Sequence, residues 1–169
     1  MRKFDEFLKV ILQQEGGDKY HEVQGDSGLG TKYGVSLAFY KTIEPDATKE
    51  DIKNLTYQDA YSIYKKYFYE DVNLHLIDNE LLRLHMFSHG VNAGMGKAIK
   101  MLQKILGVTE DGILGTKTAS KANFYPEQGE LVQGYANARR VFYEKIVTKN
   151  PTQKKFLQGW LNRVNTTHF

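Results

Sequence analysis

Apolar residues recur at helical spacing from the start of this chain. Phe4, Phe7, Leu8, Ile11 and Leu12 fall at i, i+3, i+4, i+7 and i+8, which predicts an amphipathic helix with one buried stripe. Glu15 continues that stripe four residues beyond Ile11, so its carboxylate is expected to point to the apolar side. Gly16 and Gly17 then stop the helix, because glycine takes the left-handed conformation a helix terminus needs. Between residues 21 and 34 glycines and polar residues replace the helical period, and a loop with one or two short strands is expected, with Tyr33 and Val35 on a strand edge. Residues 36–40 predict a short helix that Pro45 keeps from continuing. Thr48 and Thr56 each precede a helical stretch and have Asp51 and Asp59 three residues on, like a capping box. Across residues 57–70 the helical period puts Ala60, Ile63, Tyr64, Tyr67 and Phe68 on one side.

Further along, Leu81, Leu82, Leu84, Met86, Phe87 and Val91 make residues 79–92 too apolar for a surface helix, so this is the expected central buried helix. Asn92 and Gly94 lie at its end. Ala98, Ile99, Met101, Leu102, Ile105 and Leu106 predict the next helix, closed by Gly107. Asp111-Gly112 marks a tight turn, and Thr116 is placed to cap the short helix after it. Leu131, Tyr135, Ala138, Phe142 and Ile146 form one stripe, and Pro151 breaks the chain before Phe156, Leu157, Trp160, Leu161 and Val164. Trp160, the only tryptophan, belongs either to the core or to a cleft wall.

Composition narrows the chemistry. At 169 residues with 41% hydrophobic residues the chain can bury one core, divided into two lobes around a cleft. It has no cysteine, which removes disulfides, thiolate nucleophiles and zinc–thiolate sites. The net charge of +3 suits an anionic polymer only weakly, and the basic residues are spread among acids, so nucleic-acid binding is not expected. No apolar run is long enough to span a bilayer, and the first residues lack the apolar core of a signal peptide. His85 and His89 stand at i and i+4, but the run lacks the glutamate of a zinc-protease helix and no third ligand is evident. Neither metal nor cofactor is therefore expected, and no phosphate-binding loop, dinucleotide fingerprint or serine elbow occurs.

The positive signal is in the first loop. Burial against the stripe and the negative end of the helix both favour a protonated Glu15, which is what a general acid requires. A glutamate on the last turn of an ordinary surface helix has the same pattern. Beyond it, Asp26 and Thr31 sit among Gly25, Gly28, Gly30 and Gly34, where backbone can approach a ligand closely. A protonated acid opposite an ionised carboxylate and a hydroxyl is the set needed to split a glycosidic bond.

These residues also carry a resemblance. Glu15-Gly16-Gly17 and the run Asp26-Ser27-Gly28-Leu29-Gly30-Thr31-Lys32-Tyr33-Gly34-Val35-Ser36 resemble the signature of glycoside hydrolase family 108, although Asp18, Ser27 and Leu29 depart from its pattern. Phe87-Ser88-His89-Gly90-Val91-Asn92-Ala93-Gly94, Asp111-Gly112-Ile113-Leu114-Gly115-Thr116-Lys117-Thr118 and Gly159-Trp160-Leu161-Asn162-Arg163-Val164 are similar to its following predicted peptidoglycan-binding segment. The resemblance implies a mainly α (α+β), lysozyme-like fold with a small β/loop region near residues 20–35. It implies a catalytic segment over 1–78 and a helical peptidoglycan-binding segment over 79–169. It further implies an N-acetylmuramidase acting on peptidoglycan glycan strands, of the kind found as phage endolysins and secretion-associated enzymes. Glu15 would be the acid, with Asp26 and Thr31 opposite, and Tyr33 and Asn92 on the sugar; Asn92 as a structural cap is the alternative.

Two rival functions remain open at this level. One is a lytic transglycosylase, in which Glu15 acts alone; the other is a peptidoglycan-binding protein that does not cut. Without a recognisable signal peptide, such a protein is expected to be made in the cytoplasm. It would act in the periplasm or wall after passage through a holin or an export system.

Overall fold

The structure is a computed structural model that describes residues 4–14, 17–22 and 30–168. The chain forms two compact units, one ending at Lys66 and one beginning at Tyr67. In the first, helix α1 (Phe4–Gln14) forms where the apolar period predicts it and buries Phe7, Leu8 and Ile11. Phe4 meets Tyr61 edge to face at 5.2 Å. Strands β1 (Thr31–Lys32) and β2 (Val35–Ser36) form an antiparallel hairpin, with Thr31 opposite Ser36 and Lys32 opposite Val35. An isolated bridge pairs His21 with Thr31 on the other edge.

Short helices α2 (Leu37–Tyr40), α3 (Lys49–Asn54) and α4 (Tyr57–Lys65) complete this unit. The hydroxyl of Ser36 accepts from the Phe39 amide and starts α2. Both threonine boxes form as read. Thr48 accepts from the Asp51 amide while Asp51 accepts from the Thr48 amide, and Thr56 and Asp59 repeat the exchange. These bonds hold the Asp51 and Asp59 carboxyls below their ordinary range. The helix expected over 57–70 changes character at Lys66, where it widens into a π-helical turn, Lys66–Glu70. Ala60, Ile63, Tyr64 and Phe68 are buried as the stripe requires.

The second unit is helical. A 3-10 turn, Leu74–Leu76, precedes α5 (Glu80–Ala93), and α6 (Met95–Leu106), α7 (Thr116–Asn123) and α8 (Gln128–Lys149) follow. A second 3-10 turn, Pro151–Gln153, leads into α9 (Lys154–Asn165). Helix α5 is central, as its apolar sequence requires: Leu82, Leu84, Met86 and Phe87 have no exposed surface, and it packs against α6 and α8. The Asp111-Gly112 turn is locked from α6, where Gln103 donates to the Asp111 carboxylate at 2.6 Å and accepts from the Gly112 amide at 2.9 Å.

Two local expectations are corrected here. Gly115, not Thr116, is the N-cap of α7, and Thr116 is already its first helical residue. In helical conformation its hydroxyl is not aimed at the free amides ahead of it. The buried line of α8 runs through Leu131, Tyr135, Arg139 and Tyr143, with Ala136 beside it, while Ala138, Phe142 and Ile146 are only half-buried. A charged residue at the centre of the line concealed it from a count of apolar positions.

Candidate active site

Helix α1 is described as far as Gln14. Gly17 takes φ +71° and its amide donates to the Leu12 carbonyl at 3.0 Å, which returns the chain across the helix end. Beside it opens a depression of about 550 Å³ lined by Asp5, Lys9, Leu12, Gln13, Gly17 and the half-exposed Tyr57. Glu15 and Asp26 themselves lie outside the described residues, as do Gly16 and residues 23–29.

The hairpin is tied to this helix end. The Tyr33 amide donates to the Gly17 carbonyl at 3.1 Å, and the Tyr33 carbonyl accepts from the buried Tyr64 hydroxyl at 2.9 Å. Tyr33 is not on a strand, as the alternation suggested, but in the turn: Tyr33 and Gly34 are its two central residues, at φ +52° and +75°. A two-residue hairpin needs left-handed backbone at both positions to match the strand twist. Gly34 adopts it freely, whereas Tyr33 holds it under strain, anchored at both backbone ends. Its ring meets Tyr57 at 6.4 Å.

Thr31 is fixed from both sides. It exchanges backbone hydrogen bonds with His21 at 2.9 Å in each direction and pairs with Ser36 across the hairpin. Val35 is buried and shares its face with Lys32, whose ammonium donates to the Lys53 carbonyl at 2.6 Å. Since side chains alternate along a strand, Thr31 stands on the opposite face. Gly30 has φ +110°, and the Tyr20 ring lies where any Cβ at that position would be, so only glycine fits. Tyr20 in turn donates to Glu22 at 2.6 Å. That bond pushes the phenol up to about 12 and, with Lys49, holds the Glu22 carboxyl low.

Asn92 lies in the second unit, in the last turn of α5, half-buried. Its Oδ1 accepts from the Tyr143 hydroxyl of α8 at 2.9 Å. Trp160 stacks on Tyr143 at 5.3 Å and is partly buried in a cluster with Ala136, Phe142, Ile146, Leu157 and Val164. Thr31 and Tyr33 thus share one hairpin at the end of α1, and Asn92 belongs to a separate aromatic and polar cluster.

Sequence reasoning missed the centre of that cluster. Arg139 has no exposed surface; its Nη1 donates to His85 Nδ1 at 2.9 Å and to Thr167 at 3.1 Å, and its Nη2 donates to Ser88 at 2.9 Å. An arginine can only donate, so His85 Nδ1 is an acceptor and is not available to a metal. Burial, then the Arg139 charge, push both His85 and His89 down to about 3. The signal lay in the sequence as Arg139 standing midway between Tyr135 and Tyr143 at steps of four. Among the described residues no three His, Asp or Glu side chains group as metal ligands.

Residues 8–94 match the family model described as Glycosyl hydrolase 108, and residues 97–165 match that described as Predicted Peptidoglycan domain. No curated protein matches the chain. Among solved structures it is similar to that of SagA from Brucella abortus, with 25% identity, 98% of this chain and 92% of that chain covered, and a TM-score of 0.82. The fold is mainly α and lysozyme-like, with its small β element where the sequence put it.

Proposed function

We propose that this chain, which belongs to the glycosyl hydrolase 108 family, is an N-acetylmuramidase that uses Glu15 as its general acid. The chain is a glycoside hydrolase, and peptidoglycan is its polymer. The finer reading specifies the β-1,4 bond between N-acetylmuramic acid and N-acetylglucosamine. The observation that supports the pairing of Thr31 with Glu15 in one site is the bond from Tyr33 to Gly17, which ties the hairpin of Thr31 to the end of α1, two residues from Glu15.

In this reading Glu15 protonates the oxygen that leaves the anomeric carbon, and positive charge develops on the sugar ring. Asp26 stabilises that charge or takes a proton from the attacking water, which the Thr31 hydroxyl helps to hold. A water attacking directly would place the two carboxyl groups roughly 6.5–9.5 Å apart, and a covalent intermediate would place them about 5–5.5 Å apart. Tyr33 and Asn92 contact the glycan. Residues 1–78 carry the chemistry and 79–169 hold the polymer. No helix among the described residues is long and apolar enough to cross a membrane, and a holin or export system is the proposed route to the periplasm or wall.

The test is mass spectrometry of fragments released from purified sacculi by the wild-type chain and by Glu15→Gln. Reducing N-acetylmuramic ends that vanish with Glu15→Gln are expected. Anhydro-muramic ends would replace hydrolysis by transglycosylation, and equal release by both proteins would remove Glu15 from the mechanism.

A further inference from the structure

The aromatic and polar cluster of the second unit has a direction. Tyr143 is buried, and its oxygen lies 2.9 Å from Asn92 Oδ1 and 3.4 Å from His89 Nδ1. His89 has no exposed surface, and its Nε2 has no partner. A proton on Nε2 would be a buried donor left unsatisfied, whereas a proton on Nδ1 reaches the tyrosine oxygen. Burial keeps the ring neutral, so it carries one proton only. With His89 donating to Tyr143, the phenol proton points at Asn92 Oδ1.

That direction decides which end of the Asn92 carboxamide is which. Its oxygen is held by Tyr143, and among the described residues its Nδ2 has no hydrogen-bond partner. What remains for a ligand is a pair of donors. A sugar hydroxyl both donates and accepts, but the carbonyl oxygen of an N-acetyl group only accepts, and it is the group that complements an NH2.

We infer that Tyr143, set by His89 behind it, is a positioning residue that fixes the Asn92 carboxamide with its NH2 toward an N-acetyl carbonyl of the glycan. This rests on the reading of Asn92 as a glycan contact. Tyr143 does not touch the sugar; it removes the alternative orientation of the amide, in which an oxygen would meet the carbonyl oxygen of the substrate.

The experiment uses the full chain carrying Glu15→Gln, to prevent turnover. Calorimetry measures binding of a peptidoglycan tetrasaccharide and of the same tetrasaccharide with its N-acetyl groups removed. A hydrogen bond of ordinary strength predicts that the acetylated form binds about 2- to 12-fold more tightly. Tyr143→Phe, which keeps the ring stacked on Trp160, is expected to abolish most of that preference. Asn92→Ala is expected to do the same, and the double substitution to add nothing further. Asn92→Asp, which still accepts from Tyr143 but offers no donor, is also expected to lose it.

A preference kept in Tyr143→Phe but lost in Asn92→Ala would overturn the positioning role and leave Asn92 as a contact. A preference kept in Asn92→Ala would overturn that contact and the inference with it. Retention in Asn92→Asp would overturn the direction of the amide. Equal weakening of both ligands by Tyr143→Phe, repeated in the Asn92→Ala background, would make Tyr143 merely structural and also overturn the inference. No binding of either tetrasaccharide would remove the polymer reading itself.

Discussion

The two units handle polar groups in opposite ways. In the first, the carboxylates of Asp51 and Asp59 sit at helix starts in full or nearly full contact with solvent, bonded to neighbours three residues away. In the second, Arg139, His85 and His89 are inside the helical core and are bonded to residues about fifty positions away in sequence. Short-range exposed pairs start helices and are individually replaceable, while long-range buried ones choose a single packing and fail together. The enzyme's chemistry is proposed for the unit built on local devices, where a glycine loop can come near a ligand.

The largest expected effect separates these roles. Glu15→Gln should lower the rate of glycan cleavage by about 10²- to 10⁴-fold, the usual contribution of a general acid, with the melting temperature unchanged. A kinetic assay on sacculi alongside calorimetry checks both, and a large loss of stability would place Glu15 in the fold rather than the chemistry. Next is Arg139→Ala. It deletes a large buried side chain and leaves His85, Ser88 and Thr167 without their donor, so denaturant unfolding should show a loss of about 3–5 kcal/mol. If instead the loss is below about 1 kcal/mol, the buried network does not hold the second unit.

Acid tests the same network without a substitution. His85 and His89 titrate near 3 when folded and near 6.5 when unfolded. The unfolded chain therefore binds more protons between those values, and the stability conferred by the two neutral rings is present above about pH 6.5 and lost as pH falls toward 3. The slope should approach about 1.4 kcal/mol per pH unit for each histidine in the middle of that window. Replacing His85 by Asn should flatten the curve of denaturation midpoint against pH; an unchanged slope would show that the carboxylates dominate.

Smaller effects belong to the first unit. Thr56→Ala should cost about 0.5–2 kcal/mol through loss of the N-cap, without altering the half-saturating glycan concentration. Tyr33→Asn should be neutral or stabilising by up to about 1 kcal/mol, since asparagine accepts the left-handed turn more readily. It should nonetheless raise the half-saturating concentration of glycan. An unchanged value would restrict Tyr33 to a role in the turn.

Much of this was legible along the chain. The stripe of α1, the all-round apolarity of α5, both threonine boxes and the Asp111-Gly112 turn are short-range patterns, and each appears in the fold because its causes lie within a few residues. The hairpin at Thr31 was legible as a short β element near residues 20–35. Other features were not. That Tyr33 is a strained turn residue depends on Gly17 and Tyr64 holding its backbone from outside the hairpin. That Thr116 is inside α7 depends on where Gln103 pins the preceding turn.

The sequence alone therefore determined most of the helices, their order, the two threonine caps and the kind of chemistry available, because periodicity and capping are set by neighbours along the chain. Only the tertiary structure decided that Arg139 is interior, that His85 Nδ1 accepts from its guanidinium, and that Tyr143 holds Asn92 by its oxygen. The partner of a buried charge comes from a distant helix. Whether that charge is tolerated depends on the hydrogen bonds assembled there, not on the residue's own polarity.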